Sequence, residues 1–236
     1  MAKRYPFSLL IFRVGLPQIN LRETQNRVCC MNPRRTSTIA ILLICASVLI
    51  TGCIGNETVK LRYEPSERAE SLLASTRSLK IKLLNFEDKR AGQIDPVLIG
   101  SRQAAFGVQM GAVYSDLPVF EIIRLAVKTE LTKSGHIIVD ENEDITIKGE
   151  IQTYWVSTDV TILYWDVIGE VSIVLEVRNA DSDSFVKLDP FKGRDVERTY
   201  LYPSRAIMIG VLGASLDTVM RKISSDAGFI RVLKKN

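Results

Sequence analysis

The stretch "ILYWDVIGEVSIVLEVR", residues 162–178, constrains this chain more than any other. Leu163, Trp165, Val167, Val171, Ile173, Leu175 and Val177 alternate with Asp166, Glu170, Ser172, Glu176 and Arg178. Successive side chains of a strand point to opposite faces. The pattern therefore predicts one long strand with a core side, carrying Gly169 in its middle, and a solvent side. Such a strand belongs to an antiparallel sheet covered on one face. Just before it, "DITIKGEIQTYWVSTD" predicts a partner strand in which Ile145, Ile147, Ile151 and Trp155 share a face.

Further strands follow from the same period. "SLKIKLLNF" sets Leu79, Ile81 and Leu83 against Lys80 and Lys82, and the polar "EDKRAGQIDP" closes it. Residues 97–115 carry Gly100, Gly107 and Gly111 and read as a hairpin of weakly determined register, because glycine weakens strands and marks bulges. "HIIVD" and "DVERTYLY" add two short strands, and "GFIRVLKK" is expected to return as an edge strand.

Two helices complete the pattern. In "DLPVFEIIRLAVKTELTKSG", Asp116 is placed to cap, Pro118 is tolerated in the first turn, Val119, Ile122, Ile123, Ala126, Val127 and Leu131 form the apolar stripe, and Gly135 ends it. The second begins near Ser204, with a stripe of Ile209, Leu212, Leu216, Val219, Met220 and Ile223. Gly210 and Gly213 are expected to let it lie close to a neighbour. The expected fold class is α+β: a mostly antiparallel sheet with two main helices packed on one face, in a single domain over residues 78–236.

The front of the chain obeys other rules. Residues 39–50 are almost wholly apolar and follow Arg34 and Arg35, yet a bilayer core asks for roughly twenty helical residues. A positive flank, a short apolar run and small residues form the layout of a secretory signal peptide. Ile50, Thr51 and Gly52 before Cys53 resemble the lipobox of bacterial lipoprotein precursors. That resemblance implies a diacylglyceryl thioether on Cys53, cleavage just before it, and acylation of the new amino terminus. The expected organisation is a spurious or disordered extension over residues 1–30, a signal peptide over 31–52 starting at Met31, and a lipidated terminus with a polar flexible tether over 53–77.

Removing this leader changes the composition. The chain has 31 Lys and Arg against 27 Asp and Glu, but residues 1–52 hold seven of the first and one of the second. The remainder is slightly acidic, so the basic balance that suggests nucleic acid or anionic surfaces belongs to the leader. Cys29, Cys30 and Cys45 leave with it, and no disulfide framework or cysteine metal site is expected.

Candidate chemistry is sparse. His136, the one histidine, follows a helix-ending glycine and reads as a packing or surface residue. Asp181 and Asp183 lack the glycine and glutamate of a calcium loop. No zinc motif or nucleophile elbow occurs. Tyr154, Trp155, Tyr164 and Trp165, around a predicted hairpin, are candidates for a protein or glycan contact surface. No basic patch accompanies them, which argues against nucleic acid.

The lipobox ending at Cys53, the strand "IKLLNF" running into "EDKR" with Asp88 and Arg90 as a D-x-R pair, and the closing "LGASLDTVMRKI" together resemble the YajG-like family of small bacterial lipoproteins. The architecture also resembles accessory domains such as penicillin-binding-protein activator lipoproteins and the soluble part of curli-secretion lipoproteins. This resemblance, covering roughly residues 53–223, implies an envelope lipoprotein and marks Asp88 and Arg90 as a candidate functional loop. The residue after the acylated cysteine is Ile54 rather than aspartate, which in bacterial lipoproteins implies the outer membrane.

The expected function is thus an outer-membrane-anchored periplasmic lipoprotein, a structural or accessory protein-binding domain with an envelope protein as partner. No cofactor, metal or catalytic residue is expected. The alternatives are a carrier or binding module for a small apolar ligand or glycan, an enzyme, and, for the location, an inner-membrane lipid anchor or a single-pass span.

Overall fold

The structure, a computed structural model, describes residues 55–65, 71–92, 95–104 and 107–234. The signal peptide, Ile50, Thr51, Gly52 and the lipidation site Cys53 lie outside the described residues.

Nine strands form one sheet: β1 (Glu57–Val59), β2 (Lys80–Asp88), β3 (Leu98–Gln103), β4 (Gln109–Ser115), β5 (Ile137–Ile138), β6 (Ile145–Val160), β7 (Trp165–Asn179), β8 (Val186–Lys187) and β9 (Phe191–Thr199). Three α-helices, α1 (Val119–Lys133), α2 (Arg205–Ser225) and α3 (Ala227–Leu233), complete the α+β fold. The long ladders are antiparallel: β6 with β7, β7 with β9, and β3 with β4. Shorter parallel ladders join β2 and β3 to β6, and β1 to β4. Strand periodicity does not distinguish these two senses.

The β6–β7 hairpin is the frame. One side of β7 meets β9 and β8. The free side of β6 is shared by two strands in succession: β2 pairs with its first half, Ile81↔Ile145 to Asp88↔Ile151, and β3 with its second, at Gly100↔Val156. The sheet thus has a base half, built on the start of β6, and a tip half, built on its end.

Val167, Val171, Ile173, Leu175 and Val177 of β7 are buried as their alternation predicts. In β6 the alternation breaks. Ile145, Ile147 and Ile151 are buried, but a register shift between Ile151 and Thr153 inserts Gln152 as a bulge residue. One extra residue reverses which positions face the core. Tyr154, 1% exposed, therefore enters the core, and Trp155 stands half-buried on the other face opposite Glu170. The expectation that Trp155 shares a face with Ile151 is corrected by this bulge.

The two main helices pack against the same core. Val119, Ile122, Ile123, Ala126, Val127 and Leu131 of α1 are buried with Leu212, Leu216, Val219, Met220 and Ile223 of α2. Ser204 caps α2, accepting a bond from the Ile207 amide. Asp116 does not cap α1: its N-cap is Pro118, while Asp116 takes a bidentate pair from Arg62 at 2.7 and 3.0 Å, which holds its carboxyl below the usual range. Close approach of α2 uses glycines other than Gly210 and Gly213, which have nothing within 4 Å of an added Cβ. The strand glycines make the contact: a Cβ on Gly169 would meet Val211 and Ser215, and one on Gly193 would strike the Ser215 carbonyl.

Two more expectations change. "GFIRVLKK" is not an edge strand: α3 runs through it, capped by Asp226 at 2.6 Å from the Phe229 amide, with Phe229, Ile230 and Leu233 buried. The strand expected over residues 195–202 is β9, which starts earlier, at Phe191, and ends at Thr199. Within the expected tether, β1 joins the sheet edge and Val59, Leu61 and Leu73 are buried in the core.

Candidate functional site

Asp88 and Arg90 sit where β6 exchanges partners. After Asp88 the β2 ladder ends, with the Lys89 amide bonded to the Ile151 carbonyl at 2.9 Å, and the β3 ladder begins only at Val156. Arg90 fills the gap. Its Nε and Nη2 grip Asp88 at 2.8 and 2.7 Å, and its remaining N–H groups donate to the carbonyls of Leu98 (2.6 Å), Tyr154 (3.4 Å) and Pro96 (3.4 Å). The guanidinium, with a side chain 5% exposed, satisfies backbone acceptors that the branched sheet leaves without a ladder partner. Arg90 is engaged in holding the branch rather than presented to solvent.

His136 is also occupied. It is 3% exposed; its Nδ1 accepts from the Leu79 amide at 3.3 Å and its Nε2 lies 3.4 Å from Thr76 Oγ1. A ring accepting at Nδ1 is neutral, and burial pushes its pKa down. Among the described residues, no three His, Cys, Asp or Glu side chains converge as a metal site.

The four aromatic residues singled out in the sequence separate into different environments. Tyr154 is core, and burial pushes its phenol pKa up. Trp155 lies on the uncovered sheet face. Tyr164 and Trp165 stand half-buried at the hairpin tip, where Trp165 meets Tyr202 edge-to-face with centroids 5.5 Å apart and Arg198 lies 3.7 Å over the Tyr164 ring. Arg198 also grips Asp166 at 2.8 and 2.9 Å, which lowers the Asp166 pKa.

Around this tip stand the most exposed large apolar side chains among the described residues: Ile162 (100%), Leu201 (78%), Leu163 (77%) and Tyr200 (75%). Both loops that carry them are ordered by a threonine. Thr161 Oγ1 accepts from the amides of Leu163 and Tyr164 at 3.3 and 3.0 Å, and Thr199 Oγ1 accepts from the Leu201 amide at 3.3 Å. Sequence reading placed the aromatic hairpin correctly but passed over Ile162, Tyr200, Leu201 and Tyr202. The signal was available: turn positions favour Gly, Asn, Asp and Pro, and these two turns read "TILY" and "YLYPS".

The start of the described chain reaches the same end of the sheet. Glu57 is paired with Arg102 and with Arg205, and Arg102 lies 5.6 Å from the Tyr202 ring centre. Asn56 Oδ1 accepts from the Ala112 amide at 3.1 Å, and the Gly55 carbonyl lies against Gly111, at 2.6 Å from where a Cβ would stand. Gly111, at φ 139°, is required there by both conformation and space.

One open cleft, about 560 Å³, is lined by Leu61, Tyr63, Ile209, Leu216 and Asp217, among others. In it Tyr63 Oη lies 2.9 Å from Glu130 and 3.4 Å from Asp217. Among the described residues no helix is long and apolar enough to cross a membrane.

No protein-family profile matches the chain, and no curated protein matches it. Among solved structures, a Xanthomonas campestris protein of the DUF330 family is similar at 10% identity and a TM-score of 0.48, over 70% of this chain and 91% of that one. A PelC variant from Paraburkholderia phytofirmans, solved as a dodecamer, is similar at 11% identity and a TM-score of 0.34, over 68% and 94%. A minor lipoprotein from Acinetobacter baumannii is similar at 11% identity and a TM-score of 0.33, over 61% and 90%. At these identities and scores none of the three assigns a family or an activity to this chain.

Proposed function

We propose that this protein is a lipid-anchored accessory protein of the bacterial cell envelope, acylated on Cys53 and carrying a protein-binding domain of the YajG-like type. The observation that carries the reading is the pairing of "ITGC", at the end of an apolar run too short to span a bilayer, with a folded domain whose strand β1 begins at Glu57. Several acyl chains hold a protein firmly where one does not, at roughly 0.8 kcal/mol per buried CH₂. Ile54 after the acylated cysteine directs the anchor to the outer membrane, with the domain in the periplasm. The role is binding rather than catalysis: the residues nearest to a chemical signature, Asp88, Arg90 and His136, are committed to holding backbone. A partner protein would meet the uncovered sheet face at Trp155 and Val196, the latter 42% exposed.

Intact mass of the protein extracted from envelopes tests the anchor: the expected species begins at Cys53 with acyl groups, and an unmodified chain retaining residues 31–52 overturns it. Density fractionation of the two membranes tests the address. A photo-crosslinker at Trp155 in intact envelopes tests the role, with one discrete protein adduct expected and none overturning it. The cleft at Tyr63, which combines apolar walls with two carboxylates on one phenol, favours a carrier as the second reading.

A further inference from the structure

We infer that the tip end of the sheet is a membrane-contacting surface: Ile162, Leu163, Tyr200 and Leu201 enter the interface of the leaflet that holds the Cys53 lipid. The inference rests on the anchor reading above and adds which end of the domain meets the bilayer.

The first argument is reach. β1 runs parallel to β4 with Glu57 opposite Val113, so the chain emerges at Gly55 beside Gly111. Two peptide units separate Gly55 from Cys53, and two residues span at most about 7 Å. The domain therefore hangs on no long tether, and whatever surrounds Gly55 lies against the bilayer. Gly111 pairs with Arg102, which is two residues beyond the Gly100↔Val156 pair and therefore level with Thr158. The Thr158 hydroxyl accepts from the Gln103 amide at 2.8 Å, in agreement with that level. From there the hairpin projects four more residues to Ile162, roughly 13 Å at strand rise. An anchor 7 Å along the same direction leaves the tip deeper than the cysteine by about the 5–10 Å to which interfacial apolar groups sink.

The second argument is chemistry. Two loops at this end read "TILY" (161–164) and "YLYPS" (200–204), without a single charged residue. Two loops at the opposite end, "VDENED" (139–144) and "ADSDSF" (180–185), hold six carboxylates and no Lys or Arg, beside the end of α1 and the entry to β2, which carry Lys133 and Arg77. Water at both ends gives no reason for this asymmetry. A bilayer at one end does: the acidic end is repelled by anionic headgroups and the uncharged end is tolerated by lipid. Around the bare aliphatic tips sit Tyr164, Trp165, Tyr200 and Tyr202, the residue types whose apolar body and polar edge suit the headgroup level. The threonine-closed turns hold Ile162 and Leu163 out from the surface, so their exposure is built into the fold.

The test uses the acylated protein purified from envelopes and reconstituted into vesicles of phosphatidylethanolamine and phosphatidylglycerol. Nitroxide labels are placed by Ile162→Cys or Asp183→Cys, at exposed positions on opposite ends; no other thiol is free once Cys53 is a thioether. Collision with a water-soluble nickel chelate is expected to be about tenfold lower at Ile162 than at Asp183, with oxygen collision higher, as for a group below the headgroups. Equal, water-like collision at both sites in a sample whose mass shows the acyl groups overturns this inference and leaves the anchor standing. A sample without acyl groups overturns the anchor reading and this one with it. Adding I162D and L163D to the Asp183→Cys protein is expected to speed the tumbling of that label on vesicles, and unchanged tumbling counts against the contact.

Discussion

The base and tip halves of the β6–β7 hairpin share two strands and an outer face with ion pairs, and differ in their loops. In the base half the outer sheet face is a ladder of charge: Glu150 takes Lys89 at 2.5 Å and Lys187 at 2.9 Å, and Glu176 takes Lys148 at 2.8 Å. Lys89 and then Lys187 hold the Glu150 carboxyl down at about 2. In the tip half the loops are uncharged, aromatic and bare. The halves meet at the Gln152 bulge and the Arg90 clamp, so one pair of long strands serves two surroundings by changing partner, parity and surface character at a single level. What the contrast teaches is that a strand's environment is set locally by what pairs with it.

The largest effect should come from removing what the contrast depends on. Cys53→Ala is expected to lower membrane partition by more than about a hundredfold, because the tip loops alone offer less apolar area than one acyl chain; fractionation of envelopes measures it, and retention at wild-type level breaks the lipid-anchor reading. Next, Arg90→Ala should cost about 2 kcal/mol, since it removes a nearly buried guanidinium and leaves carbonyls of β6 and β3 without donors. Urea denaturation checks this, and hydrogen exchange should show the loss centred at the junction of the halves.

A smaller pair of effects opposes strand and helix glycines. Gly193→Ala drives a methyl into the Ser215 carbonyl and is expected to destabilise by about 2 kcal/mol. Gly210→Ala, in open space within α2, should stabilise by roughly 0.8 kcal/mol. Thermal melts of the two variants distinguish them in sign.

The smallest effect is pH dependence that begins in the base half. His136 is held neutral by burial, its folded pKa lying below its unfolded one, so its contribution is complete above the unfolded value of about 6.5 and is lost as pH falls through the folded value. Glu150 acts in the same direction lower down, its contribution fading from about 4.5 towards about 2. Melting temperature should fall on acidification, with exchange protection lost first around His136 and β2; loss beginning in β3 and β4 would break the assignment.

The legible parts of the fold are those where water and core alternate along one element. β7, α1 and α2 declare themselves by a period, and Ser204 by its place before a helix. The bulge at Gln152 is not legible, because an extra residue changes parity without altering the local alternation on either side, and Tyr154 and Trp155 exchange faces as a result. α3 was missed because seven residues hold too few apolar positions to separate a helix from a strand. Asp88 and Arg90 drew notice as a motif, but their task depends on carbonyls from β3 and β6, distant in sequence. The tip surface could have been found from its turns, where aliphatic residues stand in positions that turn chemistry assigns to others.

The three residues of β1 carry a mechanical consequence. Tension between an acylated Cys53 and the domain would run along the axis of β1, in the direction opposite to its course into the fold. Its parallel hydrogen bonds to β4 and the Glu57 pairs with Arg102 and Arg205 would then be loaded in shear, all together, instead of being unzipped one after another. A short strand pulled lengthwise resists far better than the same strand peeled sideways, and the route by which this chain enters its sheet is the one that makes three residues hold like many.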